Sequence, residues 1–97
     1  MQTEKYERYR IQGNSMLPEL KDGDEVLVTP NETYQIGDII VAQHPFKQSV
    51  VLIKRISELD ENSVYLIGDN PAESTDSRTL GKIPRKDILG KVIHLLK

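Results

Sequence analysis

The stretch Val50-Val51-Leu52-Ile53-Lys54-Arg55-Ile56 decides the fold class. It is an aliphatic, β-branched run with no glycine or proline inside it, and such a run reads as a strand. Alternation puts Leu52, Lys54 and Ile56 on one face and Val51, Ile53 and Arg55 on the other. Working outward, His44-Pro45 ends a preceding strand at Ile39–Gln43, because proline removes a ladder donor and restricts the residue before it. That strand enters from the Gly37-Asp38 turn. Earlier still, Asp22-Gly23-Asp24 turns into Glu25–Thr29, and Tyr9–Gln12 reads as a first strand leading to Gly13. Downstream, Asp60–Ser63 turns into Val64–Ile67, and a last strand is expected over Lys91–Leu95. Only Leu17–Lys21 and Pro84–Leu89 suggest helical turns. The expected class is mainly β, short strands closing into a small barrel or sandwich, with one or two helical turns. Residues 1–97 read as one domain, with 1–8 a flexible N-terminus.

Composition narrows the function classes. The chain has 97 residues, a net charge of −2, 37% apolar and 29% charged residues, a balance suited to a folded soluble domain. Its basic residues are scattered among acids, so no nucleic-acid footprint is expected. There is no cysteine, which removes disulfides, thiol catalysis and thiolate metal sites, and fits a reducing compartment. The first ten residues are polar, and no apolar run approaches the ~20 residues of a bilayer span. The reading is therefore of a cytoplasmic chain without a membrane anchor.

Three places offer chemistry. Ser15 stands in Gly13-Asn14-Ser15-Met16-Leu17-Pro18, where a strand gives way to a turn. Gly13 permits positive φ or a close backbone approach, Pro18 suits the start of a helical turn, and the amide of an exposed turn serine can face a developing oxyanion. Lys54 is flanked on its own face by Leu52 and Ile56. A lysine at the usual pKa near 10.4 is protonated at neutral pH, but desolvation lowers that value and turns the amine into a base for a serine hydroxyl. The plain alternative is a lysine that snorkels to solvent. The third place is the long polar segment Gly68–Gly81, of a length that is usually functional. In it Asp76 and Arg78 are spaced for a charge-assisted pair, and Ser74 and Ser77 are candidates to hydrogen-bond an amine. A Ser–His–Asp triad through His44 or His94 has no supporting motif. Asp22-Gly23-Asp24 is too short for a calcium loop, and no metal or cofactor site is read.

Taken together and in order, these segments resemble the signal-peptidase and LexA-like serine protease superfamily, from about Gly13 to Val92. Ser15-Met16-Leu17-Pro18 resembles its nucleophile box, Gly37-Asp38-Ile39-Ile40 an internal step, and Lys54-Arg55-Ile56 its general-base box. Gly68-Asp69-Asn70, with Ser74, Asp76-Ser77-Arg78 and Gly81, resembles its last box. The resemblance implies Ser15 as nucleophile, Lys54 as general base, Ser74 orienting the lysine, and Asp76 with Arg78 bracing the site. Gly13 and Met16 are the supporting positions around the serine. Gly13 stands where some members carry a serine that donates to the oxyanion, and Pro71 stands where signal peptidases have arginine. Only fourteen residues precede Ser15, so neither an anchor nor a repressor's DNA-binding domain is expected. The Gly68–Arg78 box and Ala42-Gln43-His44-Pro45 are most similar to the group that matures nickel-type superoxide dismutase. That similarity implies a protein substrate, the dismutase precursor, from which an N-terminal propeptide is removed. The alternatives are a peptidase acting on another precursor, or a non-catalytic binding module on the same fold.

Overall fold

The computed structural model describes residues 6–30 and 33–96. Seven strands form one antiparallel sheet that curls into a half-barrel: β1 (Glu7–Arg10), β2 (Glu25–Thr29), β3 (Ile39–Gln43), β4 (Val51–Leu59), β5 (Ser63–Ile67), β6 (Ile83–Pro84) and β7 (Ile88–Leu96). Their spatial order is β1-β2-β7-β3-β4-β5-β6. The return of β7 between β2 and β3 joins the two halves of the chain.

β3 runs through the middle, and its burial shows how the core is divided. Ile40 and Ala42 enter one apolar cluster with Leu52, Ile56, Val64, Leu66 and Ile83. Val41, on the opposite face, enters a second with Val26, Val28, Ile11, Met16 and Leu20. Both faces of the strand are covered, so its apolar residues run without alternation. β4 keeps the alternation expected of it: Leu52, Lys54 and Ile56 are buried and Val51, Ile53 and Arg55 are less so. Its register sets Lys54 opposite Ile40 and Arg55 opposite Ile67.

Several boundaries differ from the sequence reading. β1 occupies Glu7–Arg10, so Glu7 and Arg8 belong to the sheet; residues 1–5 of the expected flexible stretch lie outside the described residues. Residues 11 and 12 bridge to the next turn instead of extending the strand. β7 begins at Ile88, because Ile88 and Gly90 pair with Ala42 and Val41 of β3. Gly90 also lets β2 pass close, since a Cβ there would stand 2.6 Å from Val28 Cγ1 and 2.8 Å from Thr29 O. Leu17–Lys21 is not helical; residues 14–20 run as turns, with Leu17 N bonded to Asn14 O, Leu20 N to Met16 O and a cis Leu17–Pro18 peptide. The helical turn expected near Pro84 is a 3-10 turn at Arg85–Asp87. The long segment contains a 3-10 turn at Pro71–Glu73 and a short helix, α1 (Ser77–Leu80).

Candidate active site

The Ser15 turn is held from beneath. Ile11, Met16 and Leu20 are sunk in the second cluster, so an apolar residue on each side of Ser15 anchors the bend while the serine itself stays half-buried at its rim. Gly13 has φ +83 and open space where a side chain would stand. Its conformation, not a close approach, is what requires glycine. The Gly13 amide donates to Asp22 Oδ1 at 2.8 Å, which commits that group to the turn.

Lys54 reaches the same place from β4. Its side chain is 7% exposed, and Nζ lies 2.9 Å from Ser15 Oγ in a hydrogen bond between residues 39 apart in sequence. Burial lowers the lysine pKa below its ordinary value of 10.5, and the negative charge of Asp76 offsets part of that shift. A snorkelling lysine would keep its head in water; this one has its amine against a hydroxyl in an apolar setting.

The segment after β5 fastens the two together. At Gly68 the loop passes so close to the serine that an added Cβ would stand 2.6 Å from Ser74 Cβ and 2.8 Å from Ser15 O, and would collide with Ser74 Oγ. Asp69 N donates to Met16 Sδ at 3.4 Å. Asn70 N donates to Ser15 O at 2.8 Å and Asn70 Nδ2 to Asn14 O at 3.0 Å. The Asp69 carboxylate in turn accepts Arg55 Nε and Nη2 at 2.9 and 2.8 Å, and Arg55 Nη1 donates to Gly37 O. One short segment thus grips the Ser15 backbone and the residue next to Lys54. Sequence reasoning gave no role to Arg55, Asp69 or Asn70. The available signal was register: Arg55 pairs with Ile67, and Asp69 lies two residues further on the same side.

Asp76 is the buried centre of this segment, with no exposed surface. It accepts from Gly68 N at 2.8 Å, Ser74 Oγ at 2.7 Å, and Arg78 N and Nε at 3.1 and 3.0 Å. Burial alone would raise its pKa, but the bonds from Arg78, Gly68 and Ser74 prevail and bring it to about 2. Asp76 also caps α1, and Arg78 extends to Pro71 O at 2.9 Å. The sequence-derived pair of Asp76 and Arg78 therefore forms. Ser74 gives its proton to Asp76, so its link to the lysine runs through that carboxylate's charge. Ser77 Oγ accepts from Leu66 N at 2.8 Å, a bond that ties α1 to β5.

A cleft of about 440 Å³ opens in front of the pair, bounded by β1, Ser15, Met16, Lys54 and the first residues of β4. β5 pairs with β4 only from Arg55 onward, and β1 stands at the end of the sheet, so the cleft lies between two strand edges. His44 is not part of it. Its Nδ1 accepts from Phe46 N and Lys47 N at 3.0 and 3.1 Å, which makes it the organiser of the β3–β4 turn. His94 sits in β7 opposite Leu27. Among the described residues no group of three or more His, Asp or Glu could hold a metal ion, and no helix is long and apolar enough to cross a membrane.

A serine hydroxyl bonded to a desolvated lysine on a curled antiparallel sheet coincides with a family match that covers nearly the whole chain: Peptidase S24-like, over residues 2–93. The chain belongs to this family. Among its relatives are the mitochondrial inner membrane protease subunit 1 of Xenopus tropicalis, 33% identical over 82% of this chain and 62% of that protein, and that of Saccharomyces cerevisiae, 33% identical over 73% of this chain and 34% of that protein. The LexA repressor of Petrotoga mobilis is 31% identical over 95% of this chain and 43% of that protein. This S24-like chain thus spans between a third and two thirds of the length of these three relatives.

Proposed function

We propose that this S24-like chain is a serine endopeptidase working through a Ser15–Lys54 dyad. The observation that carries the reading is the 2.9 Å contact between Lys54 Nζ and Ser15 Oγ, made by a lysine that burial drives toward its neutral form. Neutral Lys54 takes the hydroxyl proton as Ser15 Oγ attacks the scissile carbonyl carbon. The same ammonium returns the proton to the departing amine, leaving an acyl-enzyme. A water deprotonated by Lys54 then attacks the ester carbon and frees Ser15. The Ser15 amide is the first candidate donor to the oxyanion. Ser74, Asp76 and Arg78 act as positioning residues behind the lysine. An extended peptide laid in the cleft would pair with the exposed backbone of β1 and the start of β4.

For the substrate, we propose the precursor of nickel-type superoxide dismutase in the cytoplasm, with removal of its N-terminal propeptide. Support comes from the Gly68–Arg78 box and from Ala42–Pro45; the names of the relatives speak for a protease and for no particular substrate. Those same names also fit a second reading, a processing peptidase for another precursor. Co-expression with a dismutase precursor, followed by intact mass of the dismutase, tests both. Trimming by the unsubstituted chain, and by neither Ser15→Ala nor Lys54→Ala, is expected. If folded, unsubstituted chain leaves the precursor whole, the dismutase role is lost and the second reading takes its place.

A further inference from the structure

The two walls of the cleft differ in charge. Arg8 and Arg10 of β1 line it on one side, and Ser49, Val50, Val51 and Ile53 line the other. The lining contains no acidic residue. Among the described residues Glu25 is the carboxylate paired with the two arginines, 3.8 Å from each, and the arginine side chains remain 68% exposed. On the face that carries Arg8 and Arg10, one carboxylate shared by two arginines at that distance leaves a cationic surplus and holds neither arginine tightly. Glu7, the other acid beside them, lies on the Tyr9 face and accepts from Tyr9 Oη at 3.2 Å.

Strand alternation gives the surplus a position. In β1, Arg8 and Arg10 share one face, while Tyr9 turns to the other and packs on the apolar cluster that holds Ile11 and Met16. Ile53 of the opposite wall packs on the same cluster. A peptide extended between the two edges therefore alternates: every second side chain meets the apolar floor, and those between them lie on the Arg8–Arg10 side. We infer that the cleft selects peptides carrying an acidic side chain at one of these intervening positions, with small or apolar residues on either side of it. Arg8 and Arg10 are specificity-determining residues, and two guanidiniums favour a carboxylate over a neutral isostere by charge-assisted hydrogen bonds.

The inference rests on the reading of this groove as a peptide-binding cleft, and its test separates binding from cleavage. The Ser15→Ala chain is titrated into fluorescent alanine- and valine-rich peptides in which a single Glu is moved stepwise, with Gln and Lys counterparts, and anisotropy is read. At the best position Glu is expected to bind roughly threefold to tenfold tighter than Gln, and Lys weaker than both. The preference is expected to shrink as salt is raised. It should vanish in Arg8→Gln/Arg10→Gln, whose fold is checked by circular dichroism, and persist in Lys86→Gln, which removes a positive charge elsewhere. Equal binding of Glu and Gln peptides, no binding at all, or a preference that survives loss of both arginines overturns the inference. The same peptides are then given to the chain with Ser15 intact. Peptides bound with a Glu preference but never cut would refute the peptidase reading and leave the arginine rim standing; peptides cut without preference would do the reverse.

Discussion

Asp60 and Asp76 make an instructive pair. Both carboxyls are drawn down to about 2, each by several hydrogen bonds. Asp60 accepts from Asn62 N, Ser63 N, Ser63 Oγ and Lys82 Nζ in the turn between β4 and β5, with a side chain 49% exposed. Asp76 accepts from comparable donors with none of its surface in water. The donors set the two acidities; burial sets how costly it is to lose a donor. Water replaces a missing partner at Asp60, but nothing replaces one at Asp76. The hairpin carboxylate shapes a turn, and the other holds a loop in register with Ser15 and Lys54.

The largest expected effect comes from the point where that loop touches Ser15. Gly68→Ala puts a Cβ against Ser15 O and Ser74, so the serine backbone must move. A displacement near 1 Å should lower kcat/KM about 10²-fold or more, while β2, β3 and β7 keep their amide protection in hydrogen exchange. Asp76→Asn comes next. It removes the charge and leaves Gly68 N, Ser74 Oγ and the Arg78 donors competing for one amide oxygen, at a cost of about 2–3 kcal/mol in urea unfolding, discounted for the exposed side of Arg78. Its pH signature is also specific. A carboxyl whose folded pKa is about 2, against 3.8 ordinarily, contributes stability that is present above about pH 4 and is lost as pH falls through 2. In Asp76→Asn that part of the acid dependence should be gone. The smallest effect is expected for Asp60→Asn: peptidase kinetics unchanged, with faster hydrogen exchange confined to residues 61–63. A kinetic loss there equal to that of Asp76→Asn would break the comparison.

The same contrast explains how much was legible in the sequence. β2 and β3 are bounded by residues with strong local meaning, Gly23-Asp24 before one and Gly37-Asp38 and Pro45 around the other, and both were expected at their observed limits. Ser15 and Lys54 were legible as a pair only through the ordered boxes; alternation gave the lysine an apolar face but not its 7% exposure. The segment from Gly68 to Gly81 was legible as important and not as structured. α1 has an Asp cap and a closing Gly81, but four residues are too few to show a helical period. β6 was hidden because one of its two residues is Pro84. The clamp formed by Arg55, Asp69 and Asn70 joins places fourteen to fifty-six residues apart, and no local pattern encodes a contact of that kind.

The central claim is that a neutral Lys54 activates Ser15. It is tested most directly by the rate at which an acylating active-site reagent labels Ser15, followed by intact mass across pH in the unsubstituted chain and in Lys54→Met. A lysine with a lowered pKa is protonated and inactive on the acid side, and becomes a base as pH rises through that lowered value. The expected result is labelling that rises with pH to a midpoint below 10.5, with loss of labelling in folded Lys54→Met. Labelling that stays flat from acid to alkaline pH, or that persists without Lys54, would contradict the dyad.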